Sequence, residues 1–334
     1  MLALAEALGW PFEVRRMAYR PTELLTNRLL GVTLQGRDPA RSDPLEPPWP
    51  ALVISAGRRN EPIARWIQRQ AGGPGACRLV HVGRPWAPIE AFDLIVTTPQ
   101  YDLPRHPRIL HTDAPMHRIS ARALAEAGER WRPRLAALPS PRLAVLVGGH
   151  VGPWTFDAAK GRDLGRQLDR TARELGGSLL VSTSVRTPAE VTAALAAELT
   201  VPHLLYRWRR DDPDNPYLGF LALADGIVVT SDSMSMLIEA TATGKPVWIY
   251  DLADPPGRGP LTLRRLVFQL GRLLGPRRLR RDVTAIHARQ IATGRARPLG
   301  EPWPADALPD RPDEAAAAAA RVRALFDGTP AATA

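Results

Sequence analysis

Residues 225–252 constrain the fold more than any other stretch, because they predict a strand, a turn, a helix and a second strand in immediate succession. Ile227–Thr230 is an apolar, β-branched run of the kind that fills a buried parallel strand. Met234–Thr243 has apolar residues at helical spacing, Gly244 suits the end of that helix, and Val247–Tyr250 is the second strand. The pattern predicts a βαβ unit, and therefore an α/β domain with a parallel sheet.

The turn Ser231–Ser233, between this strand and this helix, is where a ligand is expected. In open α/β sheets ligands bind outside the carboxyl ends of the strands, and a helix start offers N–H groups and a partial positive charge that suit a phosphate. Glu239 lies two turns into the helix, on the face shared by Asp232 and Ser235, where a carboxylate can accept hydrogen bonds from two ribose hydroxyls. Two interpretations stay open: a nucleotide site, or an ordinary βαβ unit whose polar turn caps a helix.

Polar residues also follow two earlier strands of the same predicted sheet. Gly148 and Gly149 come directly after the buried strand Leu143–Val147, and glycines in that place let the backbone approach a phosphate closely. Hydroxyls and one arginine follow the strand at residues 179–181, and they are Ser182, Thr183, Arg186 and Thr187. Because the carboxyl ends of parallel strands meet at one sheet edge, these groups are expected near the Ser231–Ser233 turn; helix capping alone is the alternative.

In the N-terminal half, Gly57, Arg58 and Arg59 follow the strand Ala51–Ala56. Two arginines at a strand end can clamp a phosphate or a carboxylate, although solvated arginines are common in a chain this rich in arginine. The segment 111–117 has a His-x-Asp-x3-His spacing, but its proline breaks any helix there and no fourth ligand is apparent. We therefore predict no metal site.

Composition excludes several classes of protein. The single cysteine, Cys77, rules out a disulfide within the chain and a cysteine zinc site. The net charge is +10, yet no zinc-finger or RNA-binding signature is present, so nucleic acid is not an expected partner. No apolar run approaches the about 20 residues that span a bilayer, and residues 1–11 do not resemble a signal peptide, which predicts a cytoplasmic protein.

Residues 261–281 have leucines at helical spacing with arginines between them. A cationic amphipathic helix of this kind can lie on an anionic membrane surface, which would place the protein peripherally on the inner face of the membrane. A helix that closes the domain by packing on its sheet is the alternative.

Six short pieces of sequence, taken in order, resemble one known family. They are SAGRR at 55–59, FDLIV at 92–96, VGG at 147–149, STSVRTP at 182–188, NPY at 215–217 and TSDSMSMLIEATATGKP at 230–246. Together they resemble the mitochondrial-fission "elongated mitochondria" family, whose bacterial members are labelled predicted nucleoside-diphosphate-sugar epimerases. More distantly, the βαβ stretch resembles the GT-B glycosyltransferases.

The resemblance implies an α/β fold of two Rossmann-like domains that face a cleft, with parallel sheets flanked by helices. We expect an N-terminal, acceptor-side domain at 1–138, a C-terminal, nucleotide-sugar domain at 139–290, and a proline-rich segment with a helix at 291–334 that packs back on the first domain. The family begins with a strand and a glycine turn before the helix at Leu2–Leu8, so the first domain is expected to lack its first strand. Phe12–Met17 can form a further strand.

The resemblance also implies a donor site for a nucleoside-diphosphate sugar, with no tightly bound cofactor and no metal. The residues expected to bind the donor are Gly148, Gly149, Ser182, Thr183, Arg186, Thr187, Asn215, Tyr217, Ser231, Asp232, Ser233, Met234, Ser235 and Glu239. Gly57, Arg58 and Arg59 are expected on the acceptor side. Residue type and position leave Asp102, Asp113 and His117 as candidates for a catalytic base, and the acceptor is not identified.

Two functions stay open. One is a metal-independent glycosyltransferase, in which the glycines and the Ser231–Ser233 turn hold the pyrophosphate by N–H groups, Arg186 neutralises the leaving group and Glu239 binds the ribose. The other is a non-enzymatic scaffold of the same fold that binds partners or a membrane. The epimerase label is disfavoured, because neither Lys160 nor Lys245 follows a tyrosine at Tyr-x3-Lys spacing.

Overall fold

The computed structural model describes residues 1–20, 31–150, 155–253, 284–302 and 313–327. They form two compact units. The first unit takes Met1–Met116 and the C-terminal residues 313–327, and the second unit takes the described residues from 117 to 302. The boundary therefore falls before residue 117 and not after residue 138, and 291–302 belong to the second unit.

The described helices are, in chain order, α1 (Leu2–Leu8), α2 (Glu61–Gln70), α3 (Ala121–Leu135), α4 (Ala158–Glu174), α5 (Ala189–Ala196), α6 (Tyr217–Leu223), α7 (Met234–Thr241), α8 (Thr284–Ala292) and α9 (Glu314–Arg323). The described strands are β1 (Leu52–Ala56), β2 (Arg78–Val82), β3 (Leu94–Thr97), β4 (Ile109–His111), β5 (Arg142–Val147), β6 (Ser178–Thr183), β7 (His203–Tyr206), β8 (Gly226–Thr230), β9 (Val247–Tyr250) and β10 (Arg297–Pro298).

The first unit is a parallel sheet in the order β1-β2-β3-β4 with helices on both faces. Alternate residues of each strand point to opposite faces, which is why both faces are apolar. On one face α2 covers Leu79, Ile95 and Ile109 through Ala64. On the other face α1 and α9, from the two ends of the chain, together cover the sheet; the fully buried residues of α9 are Ala318, Ala319 and Val322.

The second unit is a six-stranded parallel sheet in the order β10-β9-β8-β5-β6-β7. The chain enters the sheet at β5, builds β6 and β7 to one side, and then crosses to the other side for β8, β9 and β10. This is the doubly wound Rossmann order, in which all strands are parallel. The order in which strands are added switches sides between β5 and β8. All five residues of β8 and all four of β9 are buried, as their continuous apolar runs predict.

The helix α3 belongs to the second unit because it packs against α6. The Trp131 ring lies 6.3 Å from the Phe220 ring and faces Gly219, which has no side chain to keep the ring away. The Arg134 guanidinium lies 4.7 Å above the same indole and 3.0 Å from the carboxylate of Asp214. Similarly, β10 pairs with β9, which ties residues 297–298 to the second sheet.

The predicted fold class, two α/β units with parallel sheets flanked by helices, is confirmed. The cleft between them stays a prediction. The strand predicted at Phe12–Met17 is wrong, because this backbone pairs with no strand among the residues that the structure describes and the Arg16 N–H donates to the Asp43 carboxylate at 2.6 Å instead. The amphipathic stretch 261–281 lies outside the described residues. Within the described ranges, each helix is too short or too polar to cross a bilayer.

Candidate functional site

The reversal of strand order brings the polar turns of the second unit together. Gly148 and Gly149 follow β5, and the Ser231–Ser233 turn follows β8, its neighbour across the reversal. Ligands of doubly wound sheets bind in the crevice that this reversal opens at the carboxyl ends of the strands. We call the place where these two turns meet the switch point.

Asp232 is the centre of the switch point. Its carboxylate accepts hydrogen bonds from the Gly149 N–H at 2.7 Å, from the Arg186 guanidinium at 2.8 Å and from the Thr230 hydroxyl at 2.6 Å. The Thr230 Oγ1 atom in turn accepts from the Gly148 N–H at 2.8 Å. Sequence reasoning missed Thr230, although its position as the last residue of a strand and the first of a TSDS run was the available signal.

The two glycines are needed for packing within the protein. A Cβ atom on Gly148 would lie 2.0 Å from an Asp232 carboxylate oxygen, and one on Gly149 would lie 2.2 Å from the Arg186 carbonyl oxygen. Both distances are far inside van der Waals contact, so only glycine fits at either position. Because the N–H groups of both glycines already donate within the protein, their predicted role as pyrophosphate donors has to be revised.

Among the described side chains at the switch point, Arg186 still offers donors. Its side chain is 48 % exposed, and the contacts to Asp232 and, at 3.5 Å, to the His150 carbonyl use two of its five N–H donors. The neighbouring Thr187 hydroxyl bridges the Val147 and Gly148 carbonyls at 2.9 and 2.7 Å. Thr187 thus fixes the turn after β6 against the end of β5.

The two hydroxyls at the end of β6, before this turn, are structural. Ser182 is buried within β6. Thr183 is buried too, and its Oγ1 atom accepts from the Trp208 N–H at 2.9 Å, which anchors the chain after β7. The structure therefore does not bring these two side chains to the open side of the switch point.

The start of α7 offers further donors. The Ser233 hydroxyl caps this helix by accepting from the Met236 N–H at 3.5 Å. Ser231 is committed elsewhere, since its hydroxyl donates to Asp251 at 3.1 Å and accepts from the Leu252 N–H at 2.9 Å.

The first helical residues of α7 are Met234 and Ser235, and within the described residues their N–H groups have no acceptor. The Met234 side chain is buried in the core and Ser235 is exposed. These two N–H groups are therefore the donors that α7 can offer an anion.

Tyr217 and Glu239 form a second polar group. The Tyr217 hydroxyl donates to the Glu239 carboxylate, and the Tyr217 N–H donates to the Asn215 side chain at 3.0 Å, so three predicted residues are in contact. Burial raises the pKa of Glu239, and the hydrogen bond from Tyr217 lowers it in part. Burial and the nearby carboxylate both raise the pKa of Tyr217. Glu239 has a second oxygen with which to accept a hydroxyl.

The predicted acceptor-side residues lie in the first unit. Gly57 has φ +77°, a left-handed turn that ends β1. The Arg58 guanidinium lies 5.3 Å above the Trp86 ring, and that of Arg59 lies 5.4 Å above the Tyr19 ring. Aromatic rings thus hold both arginines beside the turn.

The three candidate bases lie in the chain between β3 and α3. Asp102 is exposed with φ +45° after a short 3₁₀ turn, and Asp113 is half-buried two residues beyond β4. His117 is the first residue of the second unit. In the part of the chain that the structure describes, no group of three or more His, Cys, Asp or Glu side chains could hold a metal ion.

A family model and one curated relative indicate the same family. A family model described as Mitochondrial fission ELM1 matches residues 1–326. The mitochondrial fission protein ELM1 of Arabidopsis thaliana is 32 % identical over 227 residues, which cover 60 % of this chain and 51 % of the plant protein. The chain therefore spans about half the length of that relative.

Two further similarities are weaker. The uncharacterized protein RP120 of Rickettsia prowazekii (strain Madrid E) is 24 % identical over 255 residues, 66 % of this chain and 69 % of that protein. Among solved structures, a glycosyltransferase from Rickettsia africae ESF-5 is similar with a TM-score of 0.39 and 10 % identity, covering 83 % of this chain and 76 % of its own.

Proposed function

The chain belongs to the mitochondrial fission ELM1 family, and we propose that it is a glycosyltransferase whose second unit binds a nucleoside-diphosphate sugar at the switch point. The proposal takes the substrate class from the resemblance of the βαβ stretch 225–252 to GT-B glycosyltransferases. It takes the place of binding from the fold of the second unit.

Strand order is the observation that carries the proposal. The strand order reverses between the parallel neighbours β5 and β8, and the predicted nucleotide-binding turns follow these two strands. A doubly wound sheet binds its ligand in the crevice at that reversal. Arg186 and the first N–H groups of α7 supply positive charge and donors there, which suits a diphosphate without a metal ion.

The remaining groups have narrower roles in the proposal. Arg186 neutralises charge that develops on the leaving nucleoside diphosphate, and Glu239 accepts a ribose hydroxyl with the oxygen that Tyr217 does not use. An acceptor of unidentified structure meets the first unit near Arg58 and Arg59. The catalytic base that takes a proton from this acceptor is one of Asp102, Asp113 and His117.

One observation favours a second function, a scaffold without enzymatic activity. The Gly148 and Gly149 N–H groups, which would otherwise hold a pyrophosphate, already donate to Thr230 and Asp232. The plant relative is named as a mitochondrial fission protein, and that name mentions no sugar transfer. Attachment to an anionic membrane through residues 261–281 is compatible with either function.

Thermal unfolding in the presence of nucleotides separates the two functions. Nucleoside diphosphates and their sugars are added to the wild type, to Glu239→Ala and to the control Glu190→Ala, an exposed residue on α5 in the same unit. A ligand at about 100 times its Kd adds roughly 2.7 kcal/mol to the free energy of unfolding. We expect one nucleotide class to raise the Tm of the wild type and of the control, and not of Glu239→Ala.

If none of these nucleotides or nucleotide sugars raises the Tm of a protein shown to be folded, donor binding is contradicted and the scaffold function remains. In that case sedimentation with anionic liposomes comes next, comparing the wild type with a variant that lacks the arginines of 264–281. Equal sedimentation of the two would remove the membrane form of the scaffold.

A further inference from the structure

Asp232 and Arg186 form an ion pair with one buried and one open partner. The Asp232 side chain is 0 % exposed, whereas that of Arg186 is 48 % exposed. The carboxylate is therefore enclosed by protein, whereas part of the Arg186 side chain reaches solvent. A group in that position cannot touch a ligand unless the turn rearranges.

Asp232 connects four groups of the switch point by hydrogen bonds. One oxygen holds the Arg186 guanidinium and the Gly149 N–H, and the other accepts from Thr230, which in turn accepts from the Gly148 N–H. The absence of a side chain on Gly148 is what lets the carboxylate approach, since a Cβ there would lie 2.0 Å from it. The turns after β5 and β8 and the arginine after β6 are thus joined through one carboxylate.

We propose that Asp232 is a positioning residue for a diphosphate and not one of its ligands. It holds Arg186 with its outer N–H donors aimed away from the sheet, where they meet the diphosphate of the nucleotide sugar. The proposal rests on the proposed function for the identity of the ligand. It assigns Asp232 a different role from the direct contact that the sequence predicts.

The physical reason is preorganisation. A free arginine side chain samples many rotamers, and it loses that freedom when it binds an anion. The pair with Asp232 fixes the guanidinium before the ligand arrives, so less entropy is lost on binding. The negative charge of Asp232 also repels a diphosphate. If that repulsion outweighed preorganisation, Asp232→Asn would bind pyrophosphate more tightly than the wild type.

The probe is inorganic pyrophosphate, whose affinity for the full chain is measured by titration calorimetry. The variants are Asp232→Asn, which keeps the shape and removes the charge, Arg186→Met, and the two together. The controls are Asp225→Asn, an exposed carboxylate before β8 that accepts from the Arg142 N–H, and Arg170→Met, an exposed arginine on α4. The Arg170 control measures unspecific attraction to a chain of net charge +10.

We expect Asp232→Asn and Arg186→Met each to weaken pyrophosphate binding on the order of tenfold, because they remove parts of one coupled unit. The double variant should bind no more weakly than Arg186→Met alone. If Asp232→Asn merely loosened the fold, it would weaken binding further in the Arg186→Met background. Should Asp232→Asn not fold, Thr230→Val removes the hydrogen bond that orients Asp232 and gives the same test.

Unchanged or tighter binding by Asp232→Asn overturns the proposal and makes Asp232 a competitor of the anion. A wild type that does not bind pyrophosphate, or binds it no better than Arg186→Met, overturns it as well. Failure of the proposed function looks different. In that case pyrophosphate binds and depends on Asp232, while the panel of nucleotides and nucleotide sugars stays flat.

Discussion

The hydroxyl of Tyr217 and the carboxylate of Glu239 form a pair whose contribution to stability depends on pH. Burial raises the pKa of Glu239, so the folded state binds this proton more tightly than the unfolded chain does. Below the unfolded pKa of about 4.3 the carboxyl is protonated in both states and burial of its charge costs nothing. As the pH rises, the folded state has to hold the charge, and the hydrogen bond from Tyr217 offsets that cost.

Tyr217→Phe should therefore destabilise the protein more at neutral than at acid pH. We expect the free energy of unfolding to fall by roughly 1–3 kcal/mol near pH 7.5, because a partly buried charge loses its donor. The loss should shrink near pH 4, where Glu239 is protonated. Denaturant unfolding at both pH values measures it.

Glu239→Gln provides the control for that measurement. With no charge at position 239, replacing Tyr217 by Phe should cost less, and its cost should not change with pH. A loss in the wild-type background that is the same at both pH values would show that Tyr217 acts through packing alone.

Among elements, the contact between α3 and α6 holds residues 117–135 to the second unit. It contains two glycines, of which one has no space for a side chain and the other has. A Cβ on Gly219 of α6 would lie 2.4 Å from the Trp131 ring, whereas a Cβ on Gly128 of α3 would lie 3.5 Å from the Ala222 Cβ, an ordinary contact. One helix pair thus offers a destabilising site and a matched control.

Gly219→Ala should lower the free energy of unfolding by about 1–3 kcal/mol, because the added methyl group forces the helices apart or moves the indole. Gly128→Ala should raise it by about 0.5–1 kcal/mol, since alanine is the better helix former and fits the space. Denaturant unfolding that reports both the midpoint and the slope measures these changes. Equal effects of the two substitutions would mean that the interface adapts and that its packing does not define the unit.

The elements themselves were largely predictable from the sequence, because their signals are local. The predicted bounds of the strand Val247–Tyr250 are confirmed, and α7 begins at Met234 behind a serine cap as its sequence indicates. The strand prediction at Phe12–Met17 is wrong, because a segment forms a strand only where a neighbouring strand completes the ladder. Here a carboxylate takes one N–H instead.

At the scale of the whole molecule, sequence reasoning does not predict which residues far apart in the chain contact each other. The sequence named Asp232, Arg186 and Gly149 as one site, yet it assigned each a ligand, whereas the structure pairs them with one another. These partners are 46 and 83 residues apart, so strand order alone brings them together. Local pattern indicates which residues end at a sheet edge, and only the topology decides which of them face each other.

The first unit depends on both ends of the chain, and this can be tested on α9. Ala318 is fully buried against the sheet beside α1, whereas Ala317, its neighbour on the same helix, is exposed. Ala318→Glu would bury an unpaired charge in the core, which costs several kcal/mol unless the helix leaves the sheet. Ala317→Glu adds the same charge to the solvent side.

We expect Ala318→Glu to detach α9 and to accelerate hydrogen exchange at the amides of α9 and of β2 and β3, which α9 covers. Ala317→Glu should leave those rates unchanged. The amides of β5 and β8 serve as the internal reference, because their side chains lie in a different core. Equal exchange in the two variants would show that the sheet of the first unit holds without its C-terminal helix, and that the contact with α1 is enough to cover it.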